Sequence, residues 1–339
     1  MTEKENILRV FNHQEPAWLP QFSMMGPGLR KPGDPAPATV YVCPDFMTGW
    51  QRSGGKDIWG VEYVGAESVN GATVPVPGKY RFEDVSKWRD FVQKPDISGF
   101  DWTQIAAKCL EGVDREQTFV ILALNTLYFH ALVGFMGFEN TFYALAEDPE
   151  ECSALFDYVG SFYEEVLLHC LDAIRPDGVV LIEDIASARA PFVSPKMYRE
   201  LFKPFYNRYL KAPRERGLIL SHHNCGFCEP LIDDWLDMGI SVWDPAQVVN
   251  DLVGVKAKYG DRLTLCGCWN GTGPVNRDTA TEDFVRSEVR RCIDTFAPGG
   301  GFCFMAGGLV RPGDEKGQLR RQWIRDEYMK YGRTWYQTH

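Results

Sequence analysis

No stretch of the 339-residue chain approaches the ~18 consecutive apolar residues of a membrane span, which argues against an integral membrane protein. The opening MTEKENILRVFNHQ carries charges where a secretory leader would place an apolar core, so a cytoplasmic location is expected. Basic residues are in deficit, 36 against 46 acidic. The resulting net charge of −10 argues against a broad face for nucleic acid or an anionic membrane, while leaving room for a local basic pocket. No GxGxxG turn, and no GxxxxGK turn with Ser or Thr after it, follows any apolar run. That disfavours an open nucleotide-binding sheet. Low-complexity tracts and short-period repeats are also absent, which excludes a solenoid.

What is present describes an ordinary folded protein, with 45% hydrophobic and 24% charged residues. The length suits one large α/β barrel or two medium domains. Short, continuous apolar runs read as strands buried on both faces: Trp18–Ser23, Phe119–Asn125, Gly178–Asp184, Leu218–Asn224, Ile240–Asp244, Leu263–Trp269 and Gly301–Ala306. Amphipathic stretches between them read as helices, at Pro149–Ile174, Pro195–Arg216, Glu229–Met238, Val248–Tyr259 and Thr281–Phe296. Alternating strands and helices predict a (β/α)8 TIM-like barrel, taken as a single domain over 1–339. Within it, residues 1–80 supply an N-terminal strand, a loop and a hairpin expected to cap the barrel. The Gly- and Pro-rich Met25–Asp45 is read as a long loop near the mouth, and Gly54–Gly78 contains the hairpin (WGVEYV, then GATVPVP).

Barrel chemistry gathers at the C-terminal strand ends, and polar side chains concentrate there. Those ends carry Asn125, with Tyr128 and His130 just beyond, then Glu183-Asp184, His222-His223-Asn224-Cys225, Trp243-Asp244, Cys268-Trp269-Asn270 and Gly307-Gly308. His223 and Cys225 stand two apart on a strand end and so share a face, offering an imidazole nitrogen and a thiolate. Cys268 is the first candidate for a third metal ligand. Cys303, Glu183 and Asp244 are others, and Cys228 completes a CxxC pair. Ten cysteines in a reducing cell fit packing or ligation better than disulfides. Adjacent on one strand, Glu183 and Asp184 point to opposite faces, so only one carboxylate faces the pocket, as an acid/base, a ligand or an anchor. Tyr128, Trp243 and Trp269, with Asp244 and Asn270, are expected to line a flat pocket for an aromatic or macrocyclic ligand.

Along most of its length the chain resembles the uroporphyrinogen decarboxylase superfamily. The resemblance rests on NILRVFNHQEPAWLP, on DGVVLIEDIASARAPFVSPKMYRELFKPFY, on HHNCG and on DLVGVKAKYGDRLTLCGCWNG, which occur in the family's order. One branch decarboxylates a tetrapyrrole through an Arg-rich N-terminal loop. Here FSMMGPGLRKPGD offers only Arg30 and Lys31. The other branch holds zinc-dependent methyltransferases that work with corrinoid proteins and bind zinc through His-x-Cys and a distant cysteine. His223 and Cys225 match the first two ligands, and Gly307-Gly308 stand where the third cysteine belongs. The resemblance therefore implies methyl transfer between a small methylated substrate and a corrinoid protein. A metal held by His223, Cys225 and Cys268 would act as Lewis acid, with Glu183 or Asp184 as the proton donor. A tetrapyrrole decarboxylase and a non-catalytic barrel are the alternatives.

Overall fold

The computed structural model describes residues 1–24, 35–48, 54–66, 73–125, 127–306 and 313–339. Ten strands lie among them: β1 (Thr39–Val42), β2 (Gly55–Lys56), β3 (Glu62–Gly65), β4 (Thr73–Pro75), β5 (Phe119–Leu124), β6 (Gly178–Ile182), β7 (Ile219–His223), β8 (Val242–Ala246), β9 (Thr264–Gly267) and β10 (Phe302–Phe304). Seven form one sheet in the order β1-β5-β6-β7-β8-β9-β10, and every neighbouring pair is parallel. The Trp18–Ser23 run supplies the closing stave. Gln21 bridges Phe304 in parallel, while the Ser23 N–H donates to Thr39 Oγ1 at 2.8 Å. The fold is the TIM-like α/β barrel.

Two apolar layers follow from strand alternation. Phe22, Ile121, Ala123, Val180, Val242, Cys266 and Cys303 fill the barrel, with Tyr41, Ile182 and Ile219 against them. The alternate residues, among them Leu122, Leu181, Leu220, Trp243 and Leu265, pack outward under the helices. Helix Glu3–Phe11 is capped by Thr2 and sends Ile7, Val10 and Phe11 into the barrel cluster. Lys4 N–H bonds Gln117 and Thr264 Oγ1 bonds Val10, so this helix closes the end where the strands begin.

β2, β3 and β4 form a separate antiparallel sheet in which β3 and β4 are the hairpin read from the sequence. Trp59, just before β3, packs edge-on against Phe135 and Phe162 of the outer helices, and its Nε1 donates to Tyr163 Oη at 2.9 Å. The hairpin sheet therefore leans on the helical wall.

Met25–Asp45 differs from its reading as one loop. Residues 25–34, with Arg30 and Lys31, lie outside the described residues, as do Gly307 and Gly308. Thr39–Val42, however, is a barrel strand paired with Phe119–Leu122. The prolines before it dominate the local composition, but TVYV itself is a β-branched and aromatic run suited to a buried strand. Among the described residues no helix is long and apolar enough to cross a membrane.

Candidate metal centre at the barrel mouth

In a parallel sheet, residues paired in register share a face. Ile182 pairs with His223, and His223 pairs with Asp244. Ile182 faces the barrel, so His223, Asp244 and, one pleat further on, Asp184 and Cys225 face it too. Asp184, His223 and Cys225 each offer a ligand atom within 4.8 Å of the other two, and each is half-buried at the mouth. Asp184 Oδ1 accepts the Cys225 N–H at 2.7 Å, which ties the ends of β6 and β7 together.

The set fits a divalent metal of zinc type. One nitrogen, one sulfur and one carboxylate oxygen suit a borderline-soft ion, and three protein donors leave a position for a reactant. His223 Nδ1 lies 2.8 Å from Asp244 Oδ1, so the carboxylate orients the ring and leaves Nε2 for the metal. Asp244 is fully buried, and Tyr41 Oη donates to its second oxygen at 2.7 Å. Burial alone would deprotonate His223, but the hydrogen bond and charge of Asp244 reverse this and hold the imidazole pKa well above its ordinary value. Burial also opposes charge on Asp184, yet His223, His130 and the Cys225 N–H outweigh it, and the carboxyl titrates below its usual range. Burial raises the Cys225 thiol, with His223 pulling the other way. A metal would displace the protons that His223 and Cys225 carry, so loading must release acid.

The loop after β7 is built around Gly226. Its φ of 95° is costly for other residues, and a Cβ there would stand 2.6 Å from the Ser187 carbonyl oxygen. Asn250 braces the loop, accepting from Cys228 N–H at 2.8 Å and donating to the Gly226 carbonyl at 2.8 Å.

The family profile of uroporphyrinogen decarboxylase (URO-D) matches residues 123–320, more than half of the chain. The chain belongs to the uroporphyrinogen decarboxylase family. No curated protein sequence matches it. Among solved structures, a methyltransferase from Methanosarcina mazei aligns with 97% of this chain and 99% of its own, at a TM-score of 0.62 and 13% identity. That likeness supports the fold. A 3-keto-L-gulonate-6-phosphate decarboxylase from Vibrio cholerae aligns with 66% of this chain and 79% of its own at 8% identity, with a TM-score of 0.30 too low to inform the comparison.

Within this family member the expected site residues divide. Asp184, His223, Cys225 and Asp244 meet at the mouth. Glu183 does not, because the pleat turns it outward, where it is fully buried. Its Oε1 accepts the His130 N–H at 2.8 Å, and its Oε2 accepts Tyr206 Oη at 3.2 Å.

Cys268 corrects the expected ligand set. Extended geometry would put Cys266 and Cys268 on one face, but φ is 121° at Gly267 and 55° at Cys268, and the strand breaks there. Cys266 stays in the barrel cluster while Cys268 joins the outer one, where its carbonyl accepts from Cys292 Sγ. Cys303 lies deep in the barrel, paired with Cys266. Cys228 turns away, its buried thiol facing the Asn224 and Cys225 carbonyls, and burial pushes its pKa up, against a redox CxxC.

Two expected pocket residues also lie in the outer layer. Tyr128 is fully buried with its Oη 3.3 Å from the Phe205 carbonyl, and Trp243 donates through Nε1 to the Asn224 carbonyl at 3.0 Å. Trp269 packs edge-on to Phe304 against the outer cluster, and it and Asn270 are half-buried just beyond the end of β9. Tyr41, the phenol behind Asp244, was hidden in the Gly/Pro segment.

Proposed function

We propose that this chain transfers a methyl group between a small methylated substrate, a methoxylated aromatic in the first instance, and a corrinoid protein. The observation that carries the reading is the meeting of Asp184, His223 and Cys225 at the ends of adjacent strands, with His223 oriented by Asp244. A zinc ion bound there would act as Lewis acid on the heteroatom that bears the methyl group. The residues around it have separable tasks. Asp184, His223 and Cys225 hold the ion, and Asp244 with Tyr41 fixes the imidazole. Asn270, just beyond β9, would line the pocket, with Trp269 packed behind it. The corrinoid partner would dock over the barrel mouth.

Family membership and the likeness in fold to a methyltransferase support this reading. Decarboxylation of a tetrapyrrole follows from the family description alone. Purified protein is to be mixed with a cobalt(I) corrinoid and a methoxyarene, and the methylcobalt spectrum recorded. The reading predicts methylcobalt formation that depends on zinc. Absence of methylcobalt, together with loss of carboxylate from a porphyrinogen, would establish the decarboxylase instead.

A further inference from the structure

Glu183 poses a question that the metal centre does not answer. A fully buried carboxylate is costly unless its bonds repay the desolvation, and burial raises its pKa against the opposing pull of His130 and Tyr206. One of its oxygens is turned to His130 and the other to Tyr206. Oε1 accepts the His130 N–H at 2.8 Å and lies 3.4 Å from Nδ1 of the same ring. Tyr206 Oη holds the other oxygen at 3.2 Å. The carboxylate thus holds the His130 backbone N–H and stands within ion-pairing distance of its ring, at the start of helix Tyr128–Met136, which follows β5 at the mouth.

The imidazole is not buried with its partner: 31% of the side chain is exposed, against none for Glu183. With Nδ1 toward Glu183, Nε2 is the nitrogen left for a further partner. The two consecutive carboxylates just after β6 therefore do different work, Glu183 behind the sheet fixing His130 and Asp184 in front of it joining the metal ligands.

We infer that His130 is a catalytic residue that gives a hydrogen bond, and then a proton, from Nε2 to the leaving heteroatom of the methyl donor, with Glu183 as its positioning residue. The inference rests on the methyl-transfer reading. In the step, the methyl carbon bonds to the cobalt(I) of the corrinoid as its bond to oxygen breaks. That bond's electron pair stays on oxygen, which takes the proton from His130. The imidazole is reprotonated from solvent.

The test is single-turnover methyl transfer to free cob(I)alamin, followed by its spectrum, from methoxyarenes whose product phenols span a range of acidity. Wild type is to be compared with His130→Ala, His130→Gln and Glu183→Gln. Gln keeps most of the side-chain volume should Ala fail to fold. The inference predicts that both His130 variants lose ~10²–10³-fold in the single-turnover rate constant with the least acidic phenol, with the half-saturating substrate concentration little changed. The loss shrinks as the phenol becomes more acidic. Glu183→Gln shows a smaller loss with the same trend. By calorimetry, the zinc-loaded and the metal-free His130→Ala protein both bind the phenol product about 10-fold more weakly than wild type, the effect of one lost hydrogen bond. Zinc content stays at the wild-type level. An equal loss across the whole series, or a loss explained by missing zinc, overturns the role of His130 while methyl transfer by wild type stands. A wild type that transfers no methyl group overturns the proposed function, and this inference with it.

Discussion

His223 Nδ1 and Asp244 Oδ1 stand 2.8 Å apart across neighbouring strands, and Tyr41 Oη closes on the other Asp244 oxygen at 2.7 Å. Neither Asp244 nor Tyr41 belongs to the three-residue donor group, yet together they decide which nitrogen His223 offers. Asp244→Asn should weaken zinc binding by ~10–100-fold. Tyr41→Phe should weaken it less, because the Asp–His bond survives. Competition with a chelator of known affinity measures both, and unchanged affinity in Asp244→Asn would show that the carboxylate does not orient the ligand.

Gly226 should tolerate no side chain. With φ at 95° and the Ser187 carbonyl 2.6 Å from where a Cβ would lie, Gly226→Ala adds backbone strain to a backbone clash. The cost should be at least ~1–3 kcal/mol, seen as a lower denaturant midpoint. Because Cys225 precedes this glycine, zinc affinity should fall in the same variant. A midpoint equal to wild type would show that the loop relaxes freely.

His222 should make stability depend on pH. It is fully buried, with Nδ1 2.9 Å from the Leu181 carbonyl and the ring edge-on to Trp235, and burial pulls its pKa down to about 4 from an ordinary 6.5. The unfolded chain takes up a proton below about pH 6.5, whereas the folded chain takes it up only near pH 4. Folding stability must therefore fall as pH drops through that window, by about 3 kcal/mol. Asp57 acts in the opposite sense, since burial raises its carboxyl to about 6 from 3.8, so folding gains there as pH falls. Denaturant curves of wild type against His222→Gln isolate the histidine. The variant should lose this component of the slope, and parallel curves would refute the assignment.

Much of the barrel is legible in the sequence because buried parallel strands announce themselves as continuous apolar runs, and six of those runs overlap strands of the main sheet. Thr39–Val42 is not, because its four residues follow a Pro-rich stretch and are too few to show a period. The site is legible where alternation holds. His223 and Cys225 two apart had to share a face, and Glu183 and Asp184 had to oppose each other. Which carboxylate faces inward depends on the register of β6 against β7, a long-range fact that adjacent residues do not carry. Cys268 was misplaced because a backbone break at Gly267 interrupts the alternation, and nothing in LCGCW signals it beyond the glycine. Tyr128 and Trp243 were misplaced for a related reason, since proximity to a strand end does not say which layer receives the side chain.

Metal analysis of the purified protein tests the centre most directly, with His223→Ala, Cys225→Ala, Asp184→Asn and Cys268→Ser prepared beside it. The account predicts one zinc per wild-type chain, loss of zinc in the first three variants, and full retention in Cys268→Ser. Zinc that persists in both His223→Ala and Cys225→Ala, or that leaves with Cys268→Ser, would contradict the centre formed by Asp184, His223 and Cys225.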